Sequence, residues 1–344
     1  MQWTVAIGID THKHKHTHVA VALDRFGAQL DTFEAPATSA GYLALYRWAH
    51  EFGEPAFALE GAGSYGAGLA RLLQAAGCRV YEAERPKRAE RRRGKNDLID
   101  ALLAARRLLA GERLGAPRGL SGPREDLRLL LLERRGAVRA RTAALNQLQA
   151  VVVTAPARLR SRLGDGTSEQ LARAVAHLRP GEGEQAVVRG VMRRLGRRAL
   201  RLDEELAELD RELEAIVSAL VPELLAECGV GPVCAAQLIV SSGDPARMAS
   251  EASFAALAGT SPVDASSGQQ QRHRLNRGGD RQLNRALHVI ALTRVRYHGE
   301  TAAYHQRLLA SGKTTREARR CVKRMLARYF HRKLCSLPAL ALTT

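Results

Sequence analysis

The sequence lacks features that would assign it to several common classes of protein. It contains no CxxC pair, so neither a disulfide framework nor a zinc site is predicted. No apolar run approaches the length of a membrane-spanning helix, and the N-terminus lacks the residue order of a signal peptide. We therefore expect a cytoplasmic protein with reduced thiols. The five cysteines are widely spaced: Cys78, Cys228, Cys234, Cys321 and Cys335.

Acidic residues are few relative to basic ones. The 344 residues include 53 Lys or Arg and 35 Asp or Glu, which gives a net charge of +18. Such a surface attracts polyanions, and nucleic acid is the commonest partner. An ordinary Arg-rich protein has the same net charge, so the placement of the charges along the chain must decide. With 45% hydrophobic residues the chain can bury substantial cores, and its length suggests two or three folded units.

The first hundred residues alternate between strand-like and helical patterns. Three apolar runs joined by short turns predict antiparallel strands, and the order that follows is β-β-β-α-β-α-β-α. This order favours an α/β mixed sheet with the layout of an RNase H-like domain, because a flavodoxin-like domain would begin with a βαβ unit. Ser39 is predicted to cap the first helix. The predicted elements are strands 4–9, 17–23, 27–35, 56–60 and 79–82, with helices at about 39–52 and 65–76 and a further helix after 82.

The remainder reads as helical. One helix is predicted over 124–163 and a second over about 185–220, where an apolar stripe favours a helical hairpin or short coiled coil. Packing of these helices on a domain core is an equally open alternative. We predict domains at 1–123, 124–220 and 221–344, with the last mainly α-helical and without convincing strands. The stripe consists of Leu195, Leu202, Leu206, Leu209, Leu213 and Ile216.

Four carboxylates stand at positions that favour a shared site. Asp10 ends the first strand in AIGID, and Glu60 ends another in AFALEG. Asp97 and Asp100, in KNDLIDA, lie three residues apart on one face of a predicted helix. Carboxylates at one sheet edge would repel one another without a hard cation, so Mg²⁺, with Mn²⁺ as the alternative, is predicted there. Two such ions can promote phosphoryl transfer. Taken singly, each residue could merely cap a strand or solvate a helix.

The order of these motifs resembles that of the DEDD transposases of bacterial insertion sequences, whose N-terminal domain is similar to the RuvC resolvase. KNDLIDA is close to the K-T-D-x-x-D-A of that family, with Asn96 in place of Thr. The resemblance implies catalytic, metal-binding roles for Asp10, Glu60, Asp97 and Asp100. It also implies DNA cutting and rejoining, donor and target DNA as substrates, a dimeric or tetrameric assembly and guidance by a structured bridge RNA.

The C-terminal third carries two further motifs. ECGVGPVCAAQLI resembles the helix-hairpin-helix-like G-x-G-P segment of the family, where backbone amides at a tight turn can meet a phosphate. LAGTSPVDASSGQQQ resembles the G-L-x-P stretch and its Ser-Gly pair, with Thr260 in place of Leu. The family nucleophile maps to Ser267, although Ser266 directly precedes it. A serine needs a base or metal for activation, and the resemblance implies that the carboxylates of another protomer supply it.

Basic side chains cluster around these motifs. Arg binds phosphate oxygens bidentately, so three basic runs indicate nucleic-acid contacts, although charge runs are commonly solvated helix faces. The first run precedes Asp97, the second follows Ser267 and the third lies near the C-terminal end of the sequence. The residues predicted to bind nucleic acid are Arg88, Arg91, Arg92, Arg93, Lys95, Arg272, Arg274, Arg277, Arg281, Arg285, Lys323 and Arg324.

Two other readings remain open at this point. The chain could be a RuvC-like, metal-dependent nuclease or junction resolvase without serine chemistry, or a non-catalytic nucleic-acid-binding protein with structural carboxylates. A tract of alternating histidines after Asp10 could bind a transition metal, but we favour a basic turn beside phosphate as its explanation. Its members are His12, His14, His16 and His18.

Overall fold

A computed structural model describes the chain as two compact units, Met1–Leu120 and Ser121–Thr344. The domain boundaries predicted from the sequence stay a prediction. No helix in the described part of the chain has the combined length and apolar character needed to cross a membrane. All five cysteines are free thiols. The described residues are 3–11, 17–84, 96–112, 114–119, 121–164, 166–179, 185–243, 250–264, 273–274, 276 and 278–341.

The first unit is a six-stranded mixed sheet with helices on both faces. The strand order is β3-β2-β1-β4-β5-β6, with β1 antiparallel to β2 and parallel to β4. The predicted order of strands and helices is confirmed, with a short sixth strand added, and it is consistent with an RNase H-like domain. The elements are β1 Val5–Thr11, β2 Thr17–Asp24, β3 Gln29–Pro36, α1 Ser39–His50, β4 Pro55–Glu60, α2 Ala67–Ala75, β5 Arg79–Ala83, α3 Asp97–Ala110 and β6 Leu114–Gly115.

Two local expectations in this unit were wrong. The residue that caps α1 is Thr38, whose Oγ1 accepts a hydrogen bond from the Gly41 amide at 3.2 Å, and not Ser39. The cap must have extended backbone, which Thr38 adopts, whereas Ser39 is already helical. The third strand begins at Gln29 instead of Gly27, because Gly27 has a positive φ of 87° and belongs to the turn.

The second unit is mainly α-helical. The helix predicted over 124–163 is in fact two, α4 and α5, separated at Pro156, which lacks an amide hydrogen to continue the helix. Two short strands occur where the sequence showed none. The elements are α4 Pro123–Val153, α5 Ala157–Leu163, α6 Ser168–Ala176, α7 Ala186–Leu220, α8 Pro222–Leu225, α9 Pro232–Ser242, α10 Glu251–Leu257, β7 Val263–Asp264, β8 His273–Arg274, α11 Arg281–Tyr297, α12 Gly299–Ala310, α13 Thr315–Cys335 and α14 Pro338–Ala341.

The two long helices α4 and α7 pack side by side in opposite directions. Arg134 of α4 bonds Asp210 of α7, and Arg141, two turns further along α4, bonds Asp203, two turns back along α7. The buried stripe of α7 differs from the predicted one in its first half, where Met192, Gly196 and Ala199 are buried. Gly196 permits this shift, since a Cβ there would lie 2.6 Å from the Ala172 carbonyl oxygen of α6.

An ionic network around the buried Arg294 fixes the turn between α8 and α9. Arg294 of α11 donates to the Cys228 carbonyl at 2.8 Å and to the Glu227 carboxylate at 2.6 Å. The same carboxylate accepts hydrogen bonds from Tyr329 at 2.6 Å and Lys333 at 2.8 Å. Burial opposes ionisation of Glu227, but these three donors hold its pKa below the ordinary value. The Gly-rich turn is therefore anchored to α11 and α13.

Replacing Arg294 by Ala is expected to lower the free energy of unfolding by about 2–3 kcal/mol, because the Cys228 carbonyl would lose its hydrogen bond and the Glu227 carboxylate one of its three donors. Urea denaturation of the full chain measures this loss. Exposed Arg296 of the same helix is the matched control, and Arg296→Ala should cost less than about 0.5 kcal/mol. Equal losses for both variants would show that helix content, and not the network, is responsible.

Candidate active site

Two of the four predicted carboxylates lie side by side at the carboxyl ends of parallel strands. Asp10 of β1 is the register partner of Glu60 of β4. Residues directly opposite in neighbouring strands point to the same face of the sheet. Both side chains belong to largely buried residues, 7% and 9% exposed, respectively. The sheet therefore holds two carboxylates next to each other at one edge.

Helix α3 brings the other two toward this edge. Gly8 of β1 lies so close to the helix that an added Cβ would be 2.0 Å from the Ala101 carbonyl oxygen. Near the other end of β1, Gly27 lies in the turn between β2 and β3. A Cβ added to Gly27 would lie 3.9 Å from the side chain of Leu109, near the end of α3. The helix therefore runs antiparallel to β1, and its first turn, with Asp97 and Asp100, lies toward the Asp10 end.

Asp97 and Asp100 of α3 differ in burial. Asp100 is 5% exposed, whereas Asp97 is partly exposed beside the capping residue Asn96, whose side chain accepts a hydrogen bond from the Leu98 amide. We call Asp10, Glu60, Asp97 and Asp100 the carboxylate edge. The helix covers the sheet face that carries Ala56, Ala58 and Glu60, and the small residues there permit the close approach.

The donor set of the carboxylate edge fits a hard divalent cation. Carboxylate oxygens are the ligands that Mg²⁺ prefers, and close carboxylates in a low-dielectric site require positive charge among them. Within the described residues, however, no three His, Cys, Asp or Glu side chains are arranged as a metal-binding group. The metal site with all four carboxylates stays a prediction.

Three residues that the sequence did not single out hold the loop after Glu60. The Thr11 hydroxyl donates to the Glu60 carbonyl at 2.6 Å. Glu82 of β5 accepts hydrogen bonds from the amides of Gly61 at 3.1 Å and Gly63 at 3.2 Å. Arg118 donates to the Gly63 carbonyl at 2.8 Å. These bonds join residues 19 to 55 positions apart, so no local sequence pattern signals them. They fix the backbone that carries Glu60.

The ionisation of Glu82 should make the stability of the chain depend on pH. Burial raises the pKa of this carboxyl above its ordinary value of 4.5, although hydrogen bonds from Gly61 and Gly63 oppose the rise. The folded state then binds the proton more tightly than the unfolded chain. Its stabilising contribution is complete below pH 4.5 and is lost as pH rises through the folded pKa.

Urea denaturation of wild type and Glu82→Gln between pH 4 and 8 tests this linkage. The wild-type free energy of unfolding, measured relative to the variant, is expected to fall as pH rises above the ordinary value of 4.5 and then to level off. The exposed Glu112 provides the control, and Glu112→Gln should show no such slope. A difference that rises with pH would contradict the assignment.

The histidine tract is described only at its last member. His18 lies in β2, fully buried, with its ring stacked on Tyr42 at 5.6 Å between centroids. His12, His14 and His16 lie outside the described residues. The described histidine therefore contributes to packing between β2 and α1.

The serine motif lies between β7 and β8. These two short strands pair with each other, and Ser266 and Ser267 lie outside the described residues between them. In the G-x-G-P segment, Gly229 has a positive φ of 81°, and a Cβ there would lie 3.2 Å from the Ile290 carbonyl oxygen. Only glycine fits this turn without strain, so the segment is a tight turn between α8 and α9.

The structure describes five of the twelve residues predicted to bind nucleic acid. Arg274 of β8 is exposed, as are Arg281 and Arg285 on α11, which begins at the cap Asp280. On α13, Lys323 and Arg324 are partly buried. The predicted residues outside the described part are Arg88, Arg91, Arg92, Arg93, Lys95, Arg272 and Arg277.

The electrostatics of α11 and α13 reflect this concentration of cations. The pKa of His288 on α11 lies below its ordinary value, first because the ring is partly buried and then because Lys323 and Arg319 are close. Protonation of His288, which would add a further positive charge beside Lys323 and Arg319, is therefore disfavoured. An anionic ligand would relieve the same repulsion.

Known proteins match both parts of the chain. A family model of DEDD-type IS110 proteins, described as "Transposase", matches residues 7–155, and one described as "Transposase IS116/IS110/IS902 family" matches residues 223–306. The "Insertion element IS110 uncharacterized 43.6 kDa protein" of Streptomyces coelicolor is 32% identical over 203 residues, which are 57% of this chain and 49% of that protein. The chain thus spans about half the length of this curated relative. With the carboxylate edge in the first matched region, the chain belongs to the IS110 family of DEDD transposases.

Proposed function

We propose that the chain cuts and rejoins DNA strands as the transposase of an insertion element. The observation that supports this most directly is the register pair Asp10 and Glu60 at the edge toward which α3 directs Asp100. Buried carboxylates from separate elements are costly for stability and are typical of phosphoryl-transfer sites. Membership in a transposase family supports the same reaction.

The carboxylate edge would hold Mg²⁺, which when bound stabilises the charge that develops on the phosphate oxygens. The protein keeps the carboxylates in place through rigid elements. Asp10 and Glu60 are fixed by strand pairing, and Asp100 by the contact of α3 with Gly8. Thr11 and Glu82 hold the peptide group that joins Glu60 to Gly61. Mn²⁺, which accepts similar oxygen ligands, should substitute for Mg²⁺.

Ser267 is proposed as the nucleophile of a two-step transesterification. In the first step its Oγ bonds to the phosphorus of a DNA phosphodiester, the bond from phosphorus to a sugar oxygen breaks, and that oxygen leaves as a hydroxyl with the proton lost by the serine. In the second step a sugar hydroxyl of another strand attacks the phosphoserine and returns the proton to Ser267. Arginines of the second unit would stabilise the pentacoordinate phosphorus.

The assembly is proposed to contain more than one protomer and a guide RNA. In the proposed composite site, the carboxylates of one protomer activate the serine of another in a dimer or tetramer. The positive charge of the chain would bind donor DNA, target DNA and a structured bridge RNA. The paired helices α4 and α7 are proposed to act as a coiled-coil hairpin in this association.

Strand exchange on DNA carrying the ends of the element tests the proposed function. We expect joined DNA products in Mg²⁺ when the RNA transcribed beside the gene is added, and no products in EDTA. Hydrolysed ends without joined strands would support a junction resolvase or nuclease instead. Binding without any cleavage, under conditions that keep the chain folded, would support a non-catalytic nucleic-acid-binding protein.

A further inference from the structure

The second unit contains a large cavity beside the two strands that flank the serine motif. Its volume is about 910 Å³, and its wall includes the segment from Gly259 to Pro262 and Arg274 of β8. The remainder of the described wall comes largely from α12 and α13. Small-molecule sites commonly measure about 300–1,000 Å³, so the space is sufficient for a nucleotide.

Most of the charged side chains that line the cavity are positive. Among the described residues that line the cavity, Glu317 is the only acidic one, and its carboxylate accepts hydrogen bonds from Thr314 at the start of α13. Burial lowers the pKa of Lys323, and Arg320 lowers it further. Such crowding disfavours positive charge unless an anion is present. The six cations of the wall are Arg274, Lys313, Arg320, Lys323, Arg324 and Arg328.

One amide side chain links the cavity wall to the backbone near the serine motif. Asn284 of α11 donates to the Ala258 carbonyl at 2.6 Å and accepts a hydrogen bond from the Lys323 ammonium group. At Gly259, which lines the cavity, the backbone approaches that of Gly278 closely. A Cβ on Gly259 would lie 2.8 Å from the Gly278 carbonyl oxygen. Lys323 is thus held in position by Asn284.

The wall also contains groups that a phosphate alone would not need. Tyr304 of α12 lines the cavity with a half-buried side chain that also packs against the core and has Arg307 5.8 Å from its ring centroid, and Met325 of α13 lines it too. Asn276 uses its Oδ1 to accept a hydrogen bond from the Gly278 amide. Its NH₂ group is a donor of the kind that reads a base edge. Aromatic rings bind bases by stacking, and arginines bind the adjoining phosphates.

We propose that this cavity binds one unstacked nucleotide of the DNA strand that the serine attacks, with the base against Tyr304 and its phosphates among the cations. The proposal rests on the proposed function for the identity of the strand. The cavity is lined by Arg274 of β8, by Pro262 directly before β7 and by α13, and β7 and β8 are the strands that flank the serine motif in the sequence. Removing a base from its stack costs energy, which the aromatic and cationic contacts would offset.

Binding of short single strands to the full chain in EDTA tests this inference without any cleavage. The probes are an oligothymidylate and an oligomer of the same length made of abasic residues, which have the same backbone charge. Wild type is expected to prefer the oligothymidylate by about fivefold or more, the effect of stacking one base. Tyr304→Leu, which keeps apolar volume without a ring, should remove this preference, and Tyr304→Phe should retain it.

Cation variants separate stacking from charge. Lys323→Met should weaken binding of both oligomers equally, whereas Arg201→Gln, a change on the exposed side of α7, should alter neither by more than about twofold. Equal affinity of wild type for both oligomers would overturn the proposal, as would an unchanged preference in Tyr304→Leu. A base preference found with RNA but not with DNA would overturn the assignment to DNA. A chain that binds as expected but never joins strands would contradict only the proposed function.

Discussion

Asp10→Asn is expected to reduce DNA strand cleavage by about a thousandfold or more while leaving the chain folded. Asparagine has almost the same shape, so the pairing of β1 with β4 should persist, but the side chain loses its charge. Removing one preorganised electrostatic contact to a transition state costs about 10²–10³ in rate, and a metal ligand should matter at least as much. Glu60→Gln should have an effect of the same order because Glu60 is the register partner of Asp10.

Stability measurements distinguish this loss from misfolding. Because Asp10 and Glu60 lie together in a buried edge, neutralising one should leave the melting temperature unchanged or raise it. Exposed Glu51 at the end of α1 is the matched control, and Glu51→Gln should cleave at the wild-type rate. A fully active Asp10→Asn variant would refute catalysis at the carboxylate edge.

Ser267→Ala is expected to abolish both strand joining and the covalent complex between protein and DNA. In the proposed reaction the DNA strand stays covalently bound to Ser267 between the two steps, and this phosphoserine bond conserves the energy of the phosphodiester. Without the Ser267 hydroxyl, the intermediate cannot form. Cleavage assays on end-labelled DNA measure both products in one gel. The loss should exceed about a thousandfold, comparable to the removal of other catalytic nucleophiles.

The neighbouring serine supplies the control for this assignment. Ser266→Ala should form the covalent complex at close to the wild-type rate, because the adjacent hydroxyl is not proposed to react. Peptide mapping of the complex should locate the DNA on Ser267. The reverse pattern, with activity lost only in Ser266→Ala, would move the nucleophile by one position, and joining by both variants would contradict the serine mechanism.

The sequence predicted those features of the fold that local patterns encode. Continuous apolar runs predicted β1 and β2, and the position of Asp10 and Glu60 at strand ends predicted their meeting. The sequence did not predict the role of Gly8, since its contact with Ala101 depends on how α3 crosses the sheet. The position of a helix on a sheet depends on tertiary packing, and the local periodicity of hydrophobic residues does not predict it.

Contacts distant in sequence explain the other differences. Arg294 pairs with Glu227 across 67 positions, and Lys323 meets Asn284 across 39. Glu227 begins the ECGVGP motif, but no local pattern there signals its pairing with Arg294, and none signals the contact of Lys323 with Asn284. On α7, Leu195 of the predicted stripe is only partly buried, whereas the neighbouring Gly196 is buried where α6 approaches the helix closely. Hydrophobicity alone favoured leucine, whereas close packing selected the small residue.

Iron-directed cleavage of the protein backbone tests the central claim most directly, because it locates the metal independently of DNA chemistry. Fe²⁺ in place of Mg²⁺, with ascorbate and peroxide, generates radicals that cut nearby peptide bonds. We predict cuts near Asp10, near Glu60 and near Asp97 to Asp100, suppressed by excess Mg²⁺ and lost in Asp10→Asn. Cuts confined to the histidine tract, or the same cuts in Asp10→Asn, would contradict a metal centre at the carboxylate edge.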